Sequence, residues 1–313
     1  WSLYLPPNGW NCRCQAVQVR KGKYPQSDPD LAMLRGNNCT EAAKQQIFRF
    51  NPGKDLQLFP PKHPYFKAPE AAKQVIEQLG EEQQREQRIT EIIAELPANL
   101  TEAEKKALAE HCLKLETELG ITKGKPMSVD EADKQSANPN YSKAYEYRVN
   151  CQTCAPAYVL RLLGFDVVAK AKTRGSLSEY LARQHSFEAW LNQDGTAPSP
   201  SLTYDWMVDK GYKQMSKKRY AEYFNECCKE TGVYILTIGW KGGGGHATIL
   251  QRFEDGTLSY IEPQIYNGTS SRRSIDELCE SGAVKPVRTR GVMRVDNLLF
   301  NPKFVSIFEK ASK

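Results

Sequence analysis

In this chain of 313 residues, one cysteine, one histidine and two polar residues at a strand end have the types and spacing of a nucleophilic amide- or acyl-transfer site. The cysteine is Cys151, in Asn150-Cys151-Gln152-Thr153-Cys154, just ahead of an apolar helical run. At a helix N-terminus the partial positive charge and free N–H groups favour a thiolate and can also receive an oxyanion. Pro156 bears on where that terminus lies. Proline is tolerated in the first turn, so the helix is expected to begin near Gln152 or Thr153, with Cys151 at its mouth and Cys154 already inside. Cys151 is therefore the expected nucleophile. The Cys-x-x-Cys spacing also fits a redox pair or half of a zinc site, but no strand precedes it and no second ligand pair follows in this domain.

Four histidines make elimination feasible. His63 lies in a Pro-Lys-His-Pro turn, His111 on a charged helix and His185 in an amphipathic one, and all three read as structural. His246 follows Lys241 and a run of four glycines and opens an apolar strand, so an unhindered backbone delivers its imidazole to a strand end. A hairpin comes next. If Glu254-Asp255-Gly256 is a three-residue loop with Gly256 left-handed, Phe253 pairs with Thr257, and His246 falls opposite Gln264 with Glu262 one same-face step along. A two-residue Asp-Gly loop would shift the pairing by one and set His246 opposite Ile265. In the first register His246 is the general base, and either Glu262 or Gln264 orients it. The expected catalytic set is Cys151, His246, Glu262 and Gln264.

Positioning these groups takes a helix from about Thr153 to Leu163 with Gly164 as its stop, a strand FDVVA, and helices near 177–191 and 217–230. After them come a strand VYILTIGW, the hairpin, a helix capped by Ser274 and a strand GVMRV. Helices followed by antiparallel strands make an α+β pattern, expected over residues 126–313. The polar stretch ITKGKPMSVDEADKQSANPNYSK reads as the boundary before it. Residues 68–125 read as a helical hairpin. Its first helix is long and partly solvated, and its second opens on the capping box Thr101-x-x-Glu104 and stops at Gly120. Residues 1–67, with Pro and Gly every few positions, read as an irregular tail.

Composition narrows the classes. Lys and Arg number 43 against 37 Asp and Glu, and the net +6 is too small and too scattered for a nucleic-acid stripe. No run of about 18 apolar residues suggests a membrane span. The opening Trp-Ser-Leu-Tyr-Leu-Pro-Pro has no basic n-region, so no signal peptide is expected and the chain reads as a fragment of a longer protein. Nine cysteines without framework spacing favour a reducing compartment.

The stretch NCQTCAPAYVLRLLGFDVVA, followed at a distance by GHATIL and then SYIEPQ, resembles the papain-fold toxin domains, a group linked to polymorphic toxins and protein-glutamine deamidases. Arg161, Gly164, Asp166 and Val167 match that group's helix-to-strand joint, Cys151 its nucleophile, His246 its base and Gln264 its final amide. Glu262 stands where the group has Asp. The stretches LPPNGWNCRC and FRFNPGKDLQLFPPKHPYFK resemble the C-terminal part of Mu-type phage head-morphogenesis (minor head) proteins, a motif that includes Cys12 and Cys14. These resemblances imply a papain-like cysteine hydrolase that acts as a toxin or effector in the cytoplasm of a target cell and deamidates a glutamine of a protein substrate. They imply no metal or organic cofactor, and an inhibitor (immunity) protein guarding the producing cell. Alternatives are a protease of the same fold and a non-enzymatic module of the phage head.

Overall fold

The computed structural model describes residues 13–57, 59–60, 62–63, 66, 70–134, 136–265, 272–280 and 284–311. Cys12 and most of LPPNGWNCRC lie outside them. The chain forms two compact units, residues 1–100 and 101–313. Among the described residues no helix is long and apolar enough to cross a membrane.

In the first unit, α1 (Pro29–Cys39) stands where only irregular chain was expected. Asp28 accepts the Leu31 N–H at 2.8 Å and Pro29 occupies the first helical turn, a start signal the turn-rich composition obscured. Asn51 caps the short α2 (Pro52–Asp55) in the same way. The helix α3 (Glu70–Glu95) runs unbroken through the polar EEQQREQR stretch.

The second unit begins with α4 (Glu102–Leu119), whose capping box forms as the spacing predicts: Thr101 Oγ1 accepts the Glu104 N–H and Glu104 returns to the Thr101 N–H. The two expected hairpin helices are thus divided between the units, and Leu115 of α4 belongs to the core of the second. After α5 (Val129–Lys134) comes α6 (Cys151–Leu162), which starts earlier than the proline argument placed it. The Asn150 carbonyl takes the N–H groups of Thr153 and Cys154, and that early closure carries the helix back to Cys151. Pro156 then sits inside the helix, and because its nitrogen has no hydrogen, only the Gln152 carbonyl forgoes an i+4 donor.

The joint from α6 to β1 (Val167–Ala169) has a clear physical basis. Gly164 has φ +98°, and a Cβ there would lie 2.4 Å from the Gly124 carbonyl oxygen, so glycine is required on two counts. Buried Arg161 spans the turn, its Nη1 3.0 Å from Asp166 Oδ1 and donating to the Val167 carbonyl at 3.0 Å. The expected helix near 177–191 is broken. It runs as α7 (Leu177–Tyr180), widens into a π turn that kinks at Gln184, where φ is +91°, and ends in a 3₁₀ turn over Ser186–Ala189. Short strands β2 (Trp190–Leu191) and β3 (Ser201–Leu202) lead to α8 (Thr203–Asp209) and α9 (Lys217–Cys227).

The central sheet is antiparallel. It comprises β3 with β4 (Gly232–Trp240), β5 (Gly245–Arg252), β6 (Leu258–Ile261), β7 (Arg272–Ser274), β8 (Val284–Lys285) and β9 (Gly291–Arg294), in the order β3-β9-β4-β5-β6-β7, with β8 pairing the end of β4. The helix α10 (Ile275–Glu280) follows β7 directly, and β10 (Leu299–Phe300) and β11 (Phe308–Lys310) pair with β2 and β1. Alternation along β4 sorts two cores: Val233 and Ile235 pack with Ala155 and Val159 of α6, while Tyr234, Leu236 and Ile238 pack with Tyr220, Tyr223 and Phe224 of α9. With both faces covered, the unit is α+β.

Candidate active site

Two features of the sheet place His246. Glycines 243 and 244, at φ +99° and +76°, form the tight turn between β4 and β5, so the glycine run makes a hairpin rather than a free loop. At Gly245 a Cβ would approach the Ile238 carbonyl oxygen to 2.7 Å, and only glycine allows the strands to close there. The second hairpin takes the three-residue loop. Gly256 has φ +82°, the Phe253 N–H donates to the Thr257 carbonyl at 2.9 Å, and Ile249 pairs with Ile261. Extended beyond the ladder, this register sets His246 against Gln264, and Glu262 lies within reach of the imidazole.

The side chains meet accordingly. His246 Nε2 lies 2.5 Å from Glu262 Oε2, with Glu262 only 3% exposed, which leaves the Nδ1 side of the ring for Cys151. His246 and the Ala247 N–H both act on the Cys151 thiol. Burial works against a Cys151 thiolate, but the hydrogen bond and charge of His246 and the Ala247 N–H outweigh it, and the thiol falls below its ordinary pKa. Burial likewise opposes the His246 cation, yet Cys151 on one side and Glu262 on the other push the imidazolium up to about 10. The two groups thus favour each other's charged form, the thiolate and the imidazolium. Cys154 differs: burial, then the charges of Cys151 and Glu262, hold it well above its ordinary value, as a thiol.

Glu262 and Gln264 do different things. Glu262 holds the imidazole through Oε2, and its Oε1 accepts the Gln264 backbone N–H at 3.0 Å. The Gln264 side chain instead donates to Asn150 Oδ1 at 3.4 Å, while the Gln264 backbone carbonyl accepts from Asn138 Nδ2 at 2.9 Å. Asn150, fully buried, bonds Asn138 and the Lys170 carbonyl and also receives the Cys154 thiol at 3.2 Å. Asn138 was invisible from sequence because it lies in a polar boundary stretch, 12 residues before its partner, with no periodic signal. Asn150 carries a signal only in preceding Cys151. Trp240, whose ring stacks on His246 with centroids 6.2 Å apart, ends the strand VYILTIGW, to which the sequence assigned no part in the site.

A cleft of about 700 Å³ opens onto this group, lined by Cys151, Gln152, Trp240, His246, Gln264 and Arg290 among others. At the start of α6 the N–H groups of Cys151 and Gln152 have no carbonyl four residues back within the helix, so they can receive a developing oxyanion. Together these groups can attack a carbonyl carbon, shuttle a proton and hold the negative charge that forms. The remaining histidines are engaged elsewhere: His185 stacks on Tyr180 and lies 2.7 Å from Glu188, His63 contacts Phe59, and burial lowers the pKa of His111. Among the described residues no three His, Cys, Asp or Glu side chains converge as metal ligands. Comparison with protein-family models, curated proteins and solved structures finds no match for this chain.

Proposed function

We propose that the second unit is a papain-like cysteine hydrolase that deamidates a glutamine side chain of a protein substrate, acting as a toxin or effector in the cytoplasm of a target cell. The observation that carries this reading is the line from Cys151 through His246 to Glu262, with the thiol lowered, the imidazole raised and a helix N-terminus beside the sulfur. The thiolate attacks the carboxamide carbon, and the Cys151 and Gln152 N–H groups take the oxyanion. The imidazolium then gives its proton to the departing nitrogen, so that ammonia leaves and a thioester remains. Neutral His246 next takes a proton from water, hydroxide adds to the thioester, and the thiolate is released with the new carboxylate. Glu262 keeps the ring in the required orientation and stabilises its cation. Side chains and backbone supply every group these steps use, so the reading calls for no metal or organic cofactor.

Such an activity endangers the cell that makes it, and a protein inhibitor covering the cleft belongs to the proposal. So does carriage of the enzyme behind the trailing part of a phage minor head protein, represented by residues 1–67. The test is expression of the full chain in a bacterial cytoplasm beside Cys151→Ala. Growth arrest with the wild type alone, and the deamidation mass shift on a cellular protein, are expected. Cleaved proteins in place of deamidated ones would replace the reading with a protease, and a harmless wild type without modified proteins would defeat it.

A further inference from the structure

The cleft carries a charge pattern that the steps above do not use. Arg148, Lys172, Arg183, Lys285 and Arg290 line it, and among the described residues no Asp or Glu does. Arg183 is tied to Glu179 at 2.9 Å, while no ion pair occupies the others among the described residues. Arg290 stands apart because it is only 8% exposed. Burying a guanidinium is costly without an anion, and such residues ordinarily face a carboxylate. Here Nη1 donates to Ser186 Oγ at 3.0 Å and Nη2 to the Ala182 carbonyl at 3.2 Å, both neutral acceptors. A guanidinium has five N–H donors in a planar fork, so several are left for a ligand.

Its placement is fixed from both sides. The Arg290 N–H bonds the Val287 carbonyl, the Arg290 carbonyl accepts from Thr203, and the next N–H, of Gly291, bonds Thr237 Oγ1 at 3.1 Å. A Cβ at Gly245, beside His246, would come within 3.3 Å of Nη2, so the fork lies against the strand that carries the base. The contacts to Ala182 and Ser186 also hold the kinked wall of the cleft where Gln184 adopts φ +91°. A rigid cation that feels the charge of the Cys151 thiolate but has no carboxylate partner among the described residues matches a substrate that brings its own carboxylate.

We propose that Arg290 binds a substrate carboxylate, so that the segment taken into the cleft is acidic, with Asp or Glu flanking the reacting residue and with Arg148, Lys172 and Lys285 supporting it from the rim. This rests on the reading of Cys151 as the nucleophile and deepens it by naming the substrate class. Bidentate pairing of guanidinium and carboxylate fixes both distance and plane, which is what presenting an amide to a fixed thiolate demands.

Two small alkylating reagents test it on the full chain without any knowledge of the natural substrate. Iodoacetate carries a carboxylate and iodoacetamide does not, and both react by displacement of iodide by the thiolate. The ratio of their rates at Cys151, mapped by mass spectrometry, therefore cancels the reactivity of the thiolate itself. A wild-type ratio about tenfold or more above that of Arg290→Met is expected, with saturation by iodoacetate and competition by glutarate. Arg290→Lys, which keeps the charge without the fork, should fall between, and Lys172→Ala with Lys285→Ala should lower the ratio less. An unchanged ratio in a folded Arg290→Met overturns the proposal. Should that variant fail to fold, absence of saturation and of glutarate competition in the wild type overturns it equally. Competition by inorganic phosphate with none by glutarate or an acidic peptide overturns it in favour of a phosphate ligand. The proposed deamidation is judged separately: inert glutamine peptides with a high iodoacetate ratio would sink that reaction and leave the carboxylate site standing.

Discussion

The charged cluster of Cys151, His246 and Glu262 and the amide cluster of Asn138, Asn150 and Gln264 lie side by side at the start of α6, yet they differ in charge and in what they face. The first opens on the cleft, and its members shift one another's pKa, the thiol downward and the imidazole upward. The second is neutral; its asparagines are fully buried and bond to one another and to backbone carbonyls that come from distant parts of the chain. Cys151 and Cys154, one helical turn apart, belong one to each, and their thiols shift in opposite directions. The difference teaches that a buried polar network positions when it is neutral and saturated, and reacts when it is ionised and left partly open. Gln264 joins the two, its side chain in the amide cluster and its N–H on Glu262.

The comparison is sharpest at the two cysteines. Cys151→Ala should lower turnover by about 10⁴-fold or more, whereas Cys154→Ala, which removes only a thiol bonded to Asn150, should leave the rate within the same order of magnitude. Thiol labelling checks the same point, since Cys151 should alkylate faster than the other cysteines near neutral pH; equal labelling of Cys154 would break the distinction.

Next in size is Glu262→Gln, which keeps the shape but leaves His246 without its anionic partner. A fall of about 10³-fold in turnover is expected, and the alkylation profile of Cys151 should move to higher pH because the imidazolium that supports its thiolate is weakened. An unchanged profile would mean that Glu262 is only a structural partner.

For the amide cluster the readout is stability. Asn150→Ala strands Asn138 and the Lys170 carbonyl in the interior and should cost about 1–3 kcal/mol, measured by thermal or urea unfolding. Cys151 in the folded variant should keep its labelling advantage over Cys154. Loss of that advantage would show that the two clusters are one electrostatic unit.

The smallest expected effect is on the pH dependence of stability. The folded His246 value of about 10 lies above its ordinary 6.5, so its contribution is complete below 6.5 and is lost as pH rises toward 10. The lowered Cys151 thiol acts in the opposite sense, contributing fully above its ordinary 9.0 and losing that contribution as pH falls through its folded value. Where both act, just below the thiol's ordinary 9.0, the slopes oppose, and the wild-type melting temperature should fall less steeply there than between pH 9 and 10. Cys151→Ala uncovers the histidine slope, and its stability should begin to fall from about pH 6.5. Parallel curves for the two proteins would show that the cysteine and histidine are not coupled.

Local chemistry determined a good part of this protein from the sequence alone. The capping box at Thr101, the alternation along β5 and β6 and the start of a helix near Cys151 are all set within a few residues, and with a three-residue loop at Glu254-Asp255-Gly256, one of the two that the sequence allowed, they bring His246, Gln264 and Glu262 to one face on paper. Only the tertiary structure decided the rest. The choice of Glu262 over Gln264 as the partner of the imidazole depends on side-chain reach at the end of a ladder. The Asn138–Asn150–Gln264 cluster joins positions up to 126 residues apart, and the bare guanidinium of Arg290 stands out only when its neighbours from the 182–186 segment and from β5 are known. The physical reason is the range of the forces involved: backbone conformation answers to adjacent residues, whereas desolvation and the pairing of buried charges answer to whatever the fold packs against them, and no local spacing records that.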